Sequence, residues 1–101
     1  MASADSLRYQ TQVFKALGHP ARLAMVQALA EGERCVCELT ALVALDISTT
    51  SKHLALLTAA GVLVCERRAN KVFYRLRTPC LIALFRCLEE AQAGSGAGCC
   101  R

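Results

Sequence analysis

The chain has 101 residues, enough for one domain with one modest core, and its 54% apolar content is broken by charges before any run reaches the ~18 residues of a membrane span. Its start, MASADSLRYQ, has neither the basic region nor the apolar stretch of a secretory signal, so a cytoplasmic protein with no membrane partner is expected. A net charge of +4 suits a nucleic-acid partner, and in a reducing compartment seven cysteines point to metal binding or thiol redox chemistry rather than structural disulfides.

In chain order, residues 5–17 place Leu7, Val13, Phe14 and Leu17 near one stripe and stop at Gly18, which predicts a first helix. Pro20 restarts the chain at a first-turn position, and Leu23, Met25, Val26 and Leu29 form a second helix closed by Gly32. A short third helix is expected from about Cys37 to Leu45, interrupted by Asp46. The fourth, from Ser48 as N-cap to Gly61, is polar at its front and apolar at its back, with Leu54, Leu56, Leu57 and Ala60 as the buried face. Next, VLVCERRANKVFYRLR carries β-branched and aromatic residues on both sides of Arg68-Ala69-Asn70-Lys71, a hairpin pattern with Asn70 suited to the turn. The last helix starts at Pro79 and carries Leu81, Leu84, Phe85 and Leu88. Residues 1–93 therefore read as one domain and 94–101 as a flexible Gly- and Cys-rich tail.

This order is mainly α with a β-hairpin, and it is the order of a winged helix-turn-helix. A short helix, a tight connection and a second helix with a polar front can present that front to a DNA major groove. Ser48, Thr49, Thr50, Ser51, Lys52 and His53 are the candidate DNA-reading residues, because hydroxyls reach phosphates and base edges while Lys and His add charge or donors. Arg67, Arg68 and Lys71 at the hairpin tip are candidates to neutralise phosphates. Replacing Lys52 or Arg68 with Ala should then weaken DNA binding and flatten its salt dependence. Taken singly, each element is equally well explained as a capping cluster or a solvated charge run; their order favours DNA.

The runs VFKALGHPARLAMVQALAEGERCVCELT and ISTTSKHLALLTAAGVLVCERRANKVFYRL resemble the ArsR/SmtB family of bacterial metalloregulatory repressors, from about Val13 to Leu88. The segment Cys35-Val36-Cys37-Glu38-Leu39 is similar to the cysteine box of the family's arsenic-sensing branch. The resemblance implies a homodimer built on the first and last helices, held on a palindromic DNA operator until an inducer ion releases it, with half-sites about one helical turn apart.

Residues i and i+2 of a regular α-helix lie about 200° apart, so Cys35 and Cys37 can grip one ion only from the frayed start of the third helix. The partial positive charge of a helix N-terminus, with Arg34 beside it, favours the thiolate that binds soft ions. Thiolates select Zn(II), Cd(II), Pb(II), Cu(I) and trivalent arsenic or antimony over Mg(II) or Ca(II). Given the resemblance, As(III) is the expected inducer, with Sb(III) as the related choice. Where the arsenic-sensing branch has a third cysteine, this chain has Thr40. Cys99 and Cys100 are the candidates for the missing sulfur, since the tail beyond Glu90 could span about 30 Å. Cys65 is expected half-buried on a strand, and Cys80 and Cys87, seven apart, are expected to pack in a dimer interface. A zinc site on the last helix is disfavoured because that helix has no histidine.

Two other readings use the same residues. A thiol-redox or persulfide switch would use the box cysteines without an ion. A small reductase using Cys99 and Cys100 is disfavoured, since there is no βαβ pattern around a Cys-x-x-Cys and no phosphate loop.

Overall fold

The structure is a computed structural model that describes residues 3–95. Helix α1 (Ala4–Leu17) is capped by the Ser3 hydroxyl, which accepts from Ser6 N–H at 3.1 Å, and ends at Gly18. Helix α2 (Pro20–Leu29) has Pro20 in its first turn and His19 as N-cap, whose Nδ1 accepts from Ala21 N–H at 3.1 Å. A two-residue strand β1 (Arg34–Cys35) leads directly into α3 (Val36–Val43). Ala44, at φ 56, turns the chain in left-handed conformation before α4 (Ile47–Ala59). Strands β2 (Leu63–Arg68) and β3 (Lys71–Leu76) form the wing, and α5 (Leu81–Glu90) follows, running into a kinked turn at Ala91–Ser95 where Gly94 has φ 95.

The core is built by the helical stripes that the sequence pattern places together. Met25 and Val26 of α2, Leu39 of α3, Leu54 and Leu57 of α4 and Val62 are fully buried, with Val13, Ala16 and Leu17 of α1 and Leu81 and Phe85 of α5 closing the cluster. Each large aliphatic side chain buried in this way stabilises the fold by ~1.5–3 kcal/mol. Leu84 of α5 packs partly buried against this cluster, whereas Leu7 and Phe14 of α1 and Leu88 of α5 are 54, 59 and 57% exposed.

Four local expectations need correction. Ser48 is not the N-cap of α4; Asp46 is, and Ser48 lies in the first turn. The carboxylate wins because its Oδ1 accepts the Thr49 N–H at 2.7 Å, a charge-assisted bond at the positive end of the helix. Leu56, expected in the buried face of α4, is 45% exposed, while at the wing tip Asn70 lies in the turn as expected, beside left-handed Ala69 (φ 55). Cys65 is exposed on β2 rather than half-buried. The wing also has a third strand: β1 pairs antiparallel with β3, giving sheet order β1-β3-β2 with Arg34 opposite Tyr74 and Cys35 opposite Phe73. No helix among the described residues is long and apolar enough to cross a membrane.

Candidate nucleic-acid interface and thiol cleft

Helices α3 and α4 form the helix-turn-helix, and Asp46 fixes the start of α4. Two hydrogen bonds from Thr49 hold the Asp46 carboxyl below the usual carboxylate range, with Lys52 adding a smaller pull. Along the front of α4, Ser48, Ser51 and Lys52 are exposed and Thr49 is half-buried. Thr50 is withdrawn from any DNA face: it is 0% exposed, and its hydroxyl donates to the Asp46 carbonyl at 2.9 Å. A threonine hydroxyl one turn into a helix is readily taken by the carbonyl four residues back, and here that bond satisfies the hydroxyl of a fully buried side chain.

His53 is half-buried and faces α2. Its Nδ1 lies 3.1 Å from Arg22 Nη1, and its ring centroid is 4.6 Å from that of His19. Arg22 in turn donates from Nε to the Ala16 carbonyl at 2.7 Å, so one guanidinium ties the end of α1 to the second turn of α4. Burial pushes the His53 imidazole below its ordinary value of 6.5, and His19 and Arg22 push it the same way. The folded chain therefore takes up the His53 proton less readily than the unfolded chain. This contribution to stability is complete above 6.5 and is lost as pH falls through the lower folded value. Urea midpoints are expected to fall between about pH 7 and about pH 5, with a flatter fall in His53→Gln; an equal slope in both proteins would assign the effect to another group. Glu38 and Asp46, both lowered, lose their contributions at more acid pH, below 4.5 and 3.8.

The wing cations divide into two kinds. Arg67 and Lys71 are exposed near the tip. Arg68 is committed to an intramolecular clamp: it pairs with Glu33 in the loop before β1 and with Glu66 at 3.6 Å, and stacks over Phe73 at 4.4 Å. The Glu33 hydrogen bond, first among its causes, raises the Arg68 guanidinium further. Pattern reading missed this clamp because a two-residue strand is too short to show a period. The only sequence signal was an acidic residue, Glu33, placed just before the cysteine box.

The two box cysteines sit on either side of a helix start. Cys35 is the N-cap of α3, extended at φ −86 and ψ 165, and buried; Cys37 lies in the first turn and is exposed. The Cys35 N–H donates to Glu38 Oε1 at 3.0 Å, and this bond, foremost, holds the Glu38 carboxyl low. The guanidinium of Arg34, next to Cys35 in β1, is engaged by its neighbours: its Nε donates to the Ala28 carbonyl at 3.2 Å and its Nη2 to Glu31 at 3.2 Å. The charges of Arg34 and Lys71 both act on Glu38, three residues beyond Cys35. Cys35 and Cys37 line a cleft of about 270 Å³ together with Ile47 and Ser51 of α4 and Lys71 and Val72 of the wing. The thiols thus share one cavity with both parts of the reading head. No group of three Cys, His, Asp or Glu placed to hold a metal occurs among the described residues. Cys80 stands just before α5, without a side-chain cap bond, and Cys87 lies within it, both exposed, whereas Cys99 and Cys100 lie outside the described residues.

Comparison with known proteins fits this geometry. Residues 19–63 match the family described as bacterial regulatory protein, arsR family. The chain is 46% identical over 65 residues to the arsenic resistance transcriptional regulator ArsR1 of Pseudomonas putida, an alignment covering 63% of this chain and 51% of that one. The chain spans about half the length of the curated relatives it matches first. Among solved structures, the homodimeric winged helix-turn-helix domain of Mb0332 from Mycobacterium bovis superimposes with TM-score 0.82 at 26% identity, covering 90% of this chain and 87% of that one. The AntR antimony-specific transcriptional repressor does so with TM-score 0.75 at 31% identity, covering 90 and 86%. These relatives are transcriptional regulators and not enzymes. With its helix-turn-helix, its three-stranded wing and a relative aligned along most of its length, this winged helix-turn-helix chain belongs to the arsR family of bacterial regulatory proteins.

Proposed function

We propose that this protein is a cytoplasmic, homodimeric repressor that leaves a palindromic DNA operator when trivalent arsenic, or antimony, binds Cys35 and Cys37. The single observation that carries the reading is the shared cleft: both box cysteines line the same cavity as Ser51 of α4 and Lys71 of the wing. An ion held by both sulfurs would bridge the extended N-cap Cys35 and the helical Cys37, and so would act on the first turn of α3. That turn abuts both α4 and, through β1, the wing strand β3. A coupling of one to three kcal/mol transmitted by this route changes operator affinity by roughly 5–150-fold.

The ion's third sulfur is assigned to Cys99 or Cys100, since the box supplies only two and position 40 is Thr40. The dimer reading rests on the exposed Leu7 and Phe14 of α1 and Leu88 of α5, apolar side chains that a second copy would cover. DNA is read by Ser48, Thr49, Ser51 and Lys52, with Arg67 and Lys71 on phosphates. The names of the relatives, one an arsenic resistance regulator and one an antimony-specific repressor, favour this class of inducer.

The test is fluorescence anisotropy of the reduced protein on operator DNA, titrated with arsenite in a phosphine reductant. Release under these conditions supports the ion reading; release by peroxide or polysulfide alone would transfer the function to thiol oxidation.

A further inference from the structure

Arg22 joins three helices. From α2, its Nε donates to the Ala16 carbonyl in the last turn of α1 at 2.7 Å, and its Nη1 lies 3.1 Å from His53 Nδ1 in the second turn of α4. The latter is the only side-chain hydrogen bond between α2 and α4 among the described residues. A guanidinium only donates, so His53 Nδ1 must accept and the ring proton sits on Nε2. The bond therefore exists only while His53 is neutral. An imidazolium has two donors and no acceptor, and it would face Arg22 as a like charge. His19, its ring centroid 4.6 Å away, is the only other titratable residue lining the cleft of about 580 Å³ beside His53, to which the end of α3 contributes Leu42 and Val43. Arg22 lines a second cleft of about 400 Å³, where Lys15 of α1 adds another cation, and Lys52 adjoins His53 on α4. No carboxylate lines either cleft.

Resting on the reading of α4 as the DNA-reading helix of a dimer, we infer that Arg22 is a positioning residue for operator recognition, and that protonation of His53 frees α4 from it and weakens operator binding. A dimer must present its two α4 helices at the spacing of the half-sites, about 34 Å for one helical turn. Arg22 fixes the second turn of α4 against the end of α1, the helix whose Leu7 and Phe14 are exposed for a second copy. Without that bond α4 is held on this side by its apolar contacts alone, which set no register as a directed bond does. The expected direction opposes simple charge: a proton gained by a DNA-binding protein ordinarily tightens binding by adding a cation. Here the ring is half-buried and bonded toward α2, while Ser48, Ser51 and Lys52 form the exposed front, so the lost bond outweighs the added charge.

The experiment is anisotropy of the full, reduced chain at fixed ionic strength, on operator DNA and on an unrelated duplex of equal length, from about pH 7.5 to about pH 5, with circular dichroism at each pH to show that the fold persists. Operator affinity of the native protein is expected to fall about tenfold or more over this range, while the unrelated duplex is bound no more weakly in acid. His53→Ala should bind the operator weakly already at the upper pH. In His53→Asn the side-chain oxygen takes the place of Nδ1 and accepts from Arg22 without titrating, so this variant should restore affinity and keep it in acid. Arg22→Lys keeps the cation but not the fork that reaches two partners; it should be weak throughout and lose little more on acidification. His19→Asn, which preserves a cap for α2, should show the native profile. Operator affinity that rises or stays level in acid, an equal fall in native and His53→Asn, or a profile flattened by His19→Asn alone overturns the inference. A native protein that does not prefer the operator at the upper pH overturns the reading of α4 instead.

Discussion

Replacing both Cys35 and Cys37 with serine is expected to leave operator binding within about twofold of native while removing the 5–150-fold loss of affinity that arsenite causes. The two halves of this result have separate physical origins. Serine is close in shape to cysteine and is a preferred N-cap residue, so Cys35→Ser keeps the entry to α3. The Glu38 bond to the backbone N–H of residue 35 does not involve the thiol and survives the change. Serine hydroxyls, however, are not soft donors and do not replace thiolates on arsenic. Circular dichroism together with anisotropy on operator DNA checks both halves. A variant that folds, binds and still releases with arsenite would move sensing to Cys65, Cys80, Cys87 or the tail. One that no longer binds would mean that the box holds the reading head in place even without an inducer. The single variants should differ: Cys37 is exposed and adds only ligation, whereas Cys35 is buried beneath the wing and its loss acts on ligation and packing together.

The helical skeleton was legible in the sequence because its signals are periodic and redundant. Gly18, Pro20 and the stripe Met25, Val26 and Leu29 each mark α1 and α2 independently, and Leu54 and Leu57 are buried as their spacing requires. What escaped depends on side chains that compete for a partner. Ser48 and Asp46 are both good caps, and only the path of the chain through left-handed Ala44 decides that Asp46 reaches Thr49. Thr50 looks like any other hydroxyl of the polar front until the Asp46 carbonyl claims it. His53 likewise stands among polar residues in the sequence, yet Arg22, 31 positions earlier, takes its ring nitrogen. The box cysteines could be identified by residue type and spacing. Their shared cleft with Ile47, Ser51, Lys71 and Val72 could not, because β1, which pairs with β3 and leads directly into α3, is only two residues long.

The wing provides the other large effect, and it separates cations that look alike in the sequence. Lys71→Ala is expected to weaken operator binding by about tenfold or more at low salt. It should also lower the slope of log K against log salt by about one for each copy of the chain on DNA, so by about two for a dimer. Lys52→Ala should act in the same way. Arg68→Ala should not, although it removes the same formal charge: Glu33, Glu66 and the face of Phe73 already hold the Arg68 guanidinium, so few counterions on DNA would be displaced by it. Its loss is instead mechanical. Glu33 is released from the wing, and the loop leading into β1 and the cysteine box loses its tie to β2. Arg68→Ala should therefore leave the salt slope nearly native while changing the ratio of operator affinities with and without arsenite, and Glu33→Gln should reproduce that change without removing any cation. Equal slope losses in the Arg68 and Lys71 variants would mean that DNA opens the clamp and takes Arg68 for a phosphate. An unchanged slope in both Lys71→Ala and Lys52→Ala would place the nucleic acid on another face of the fold.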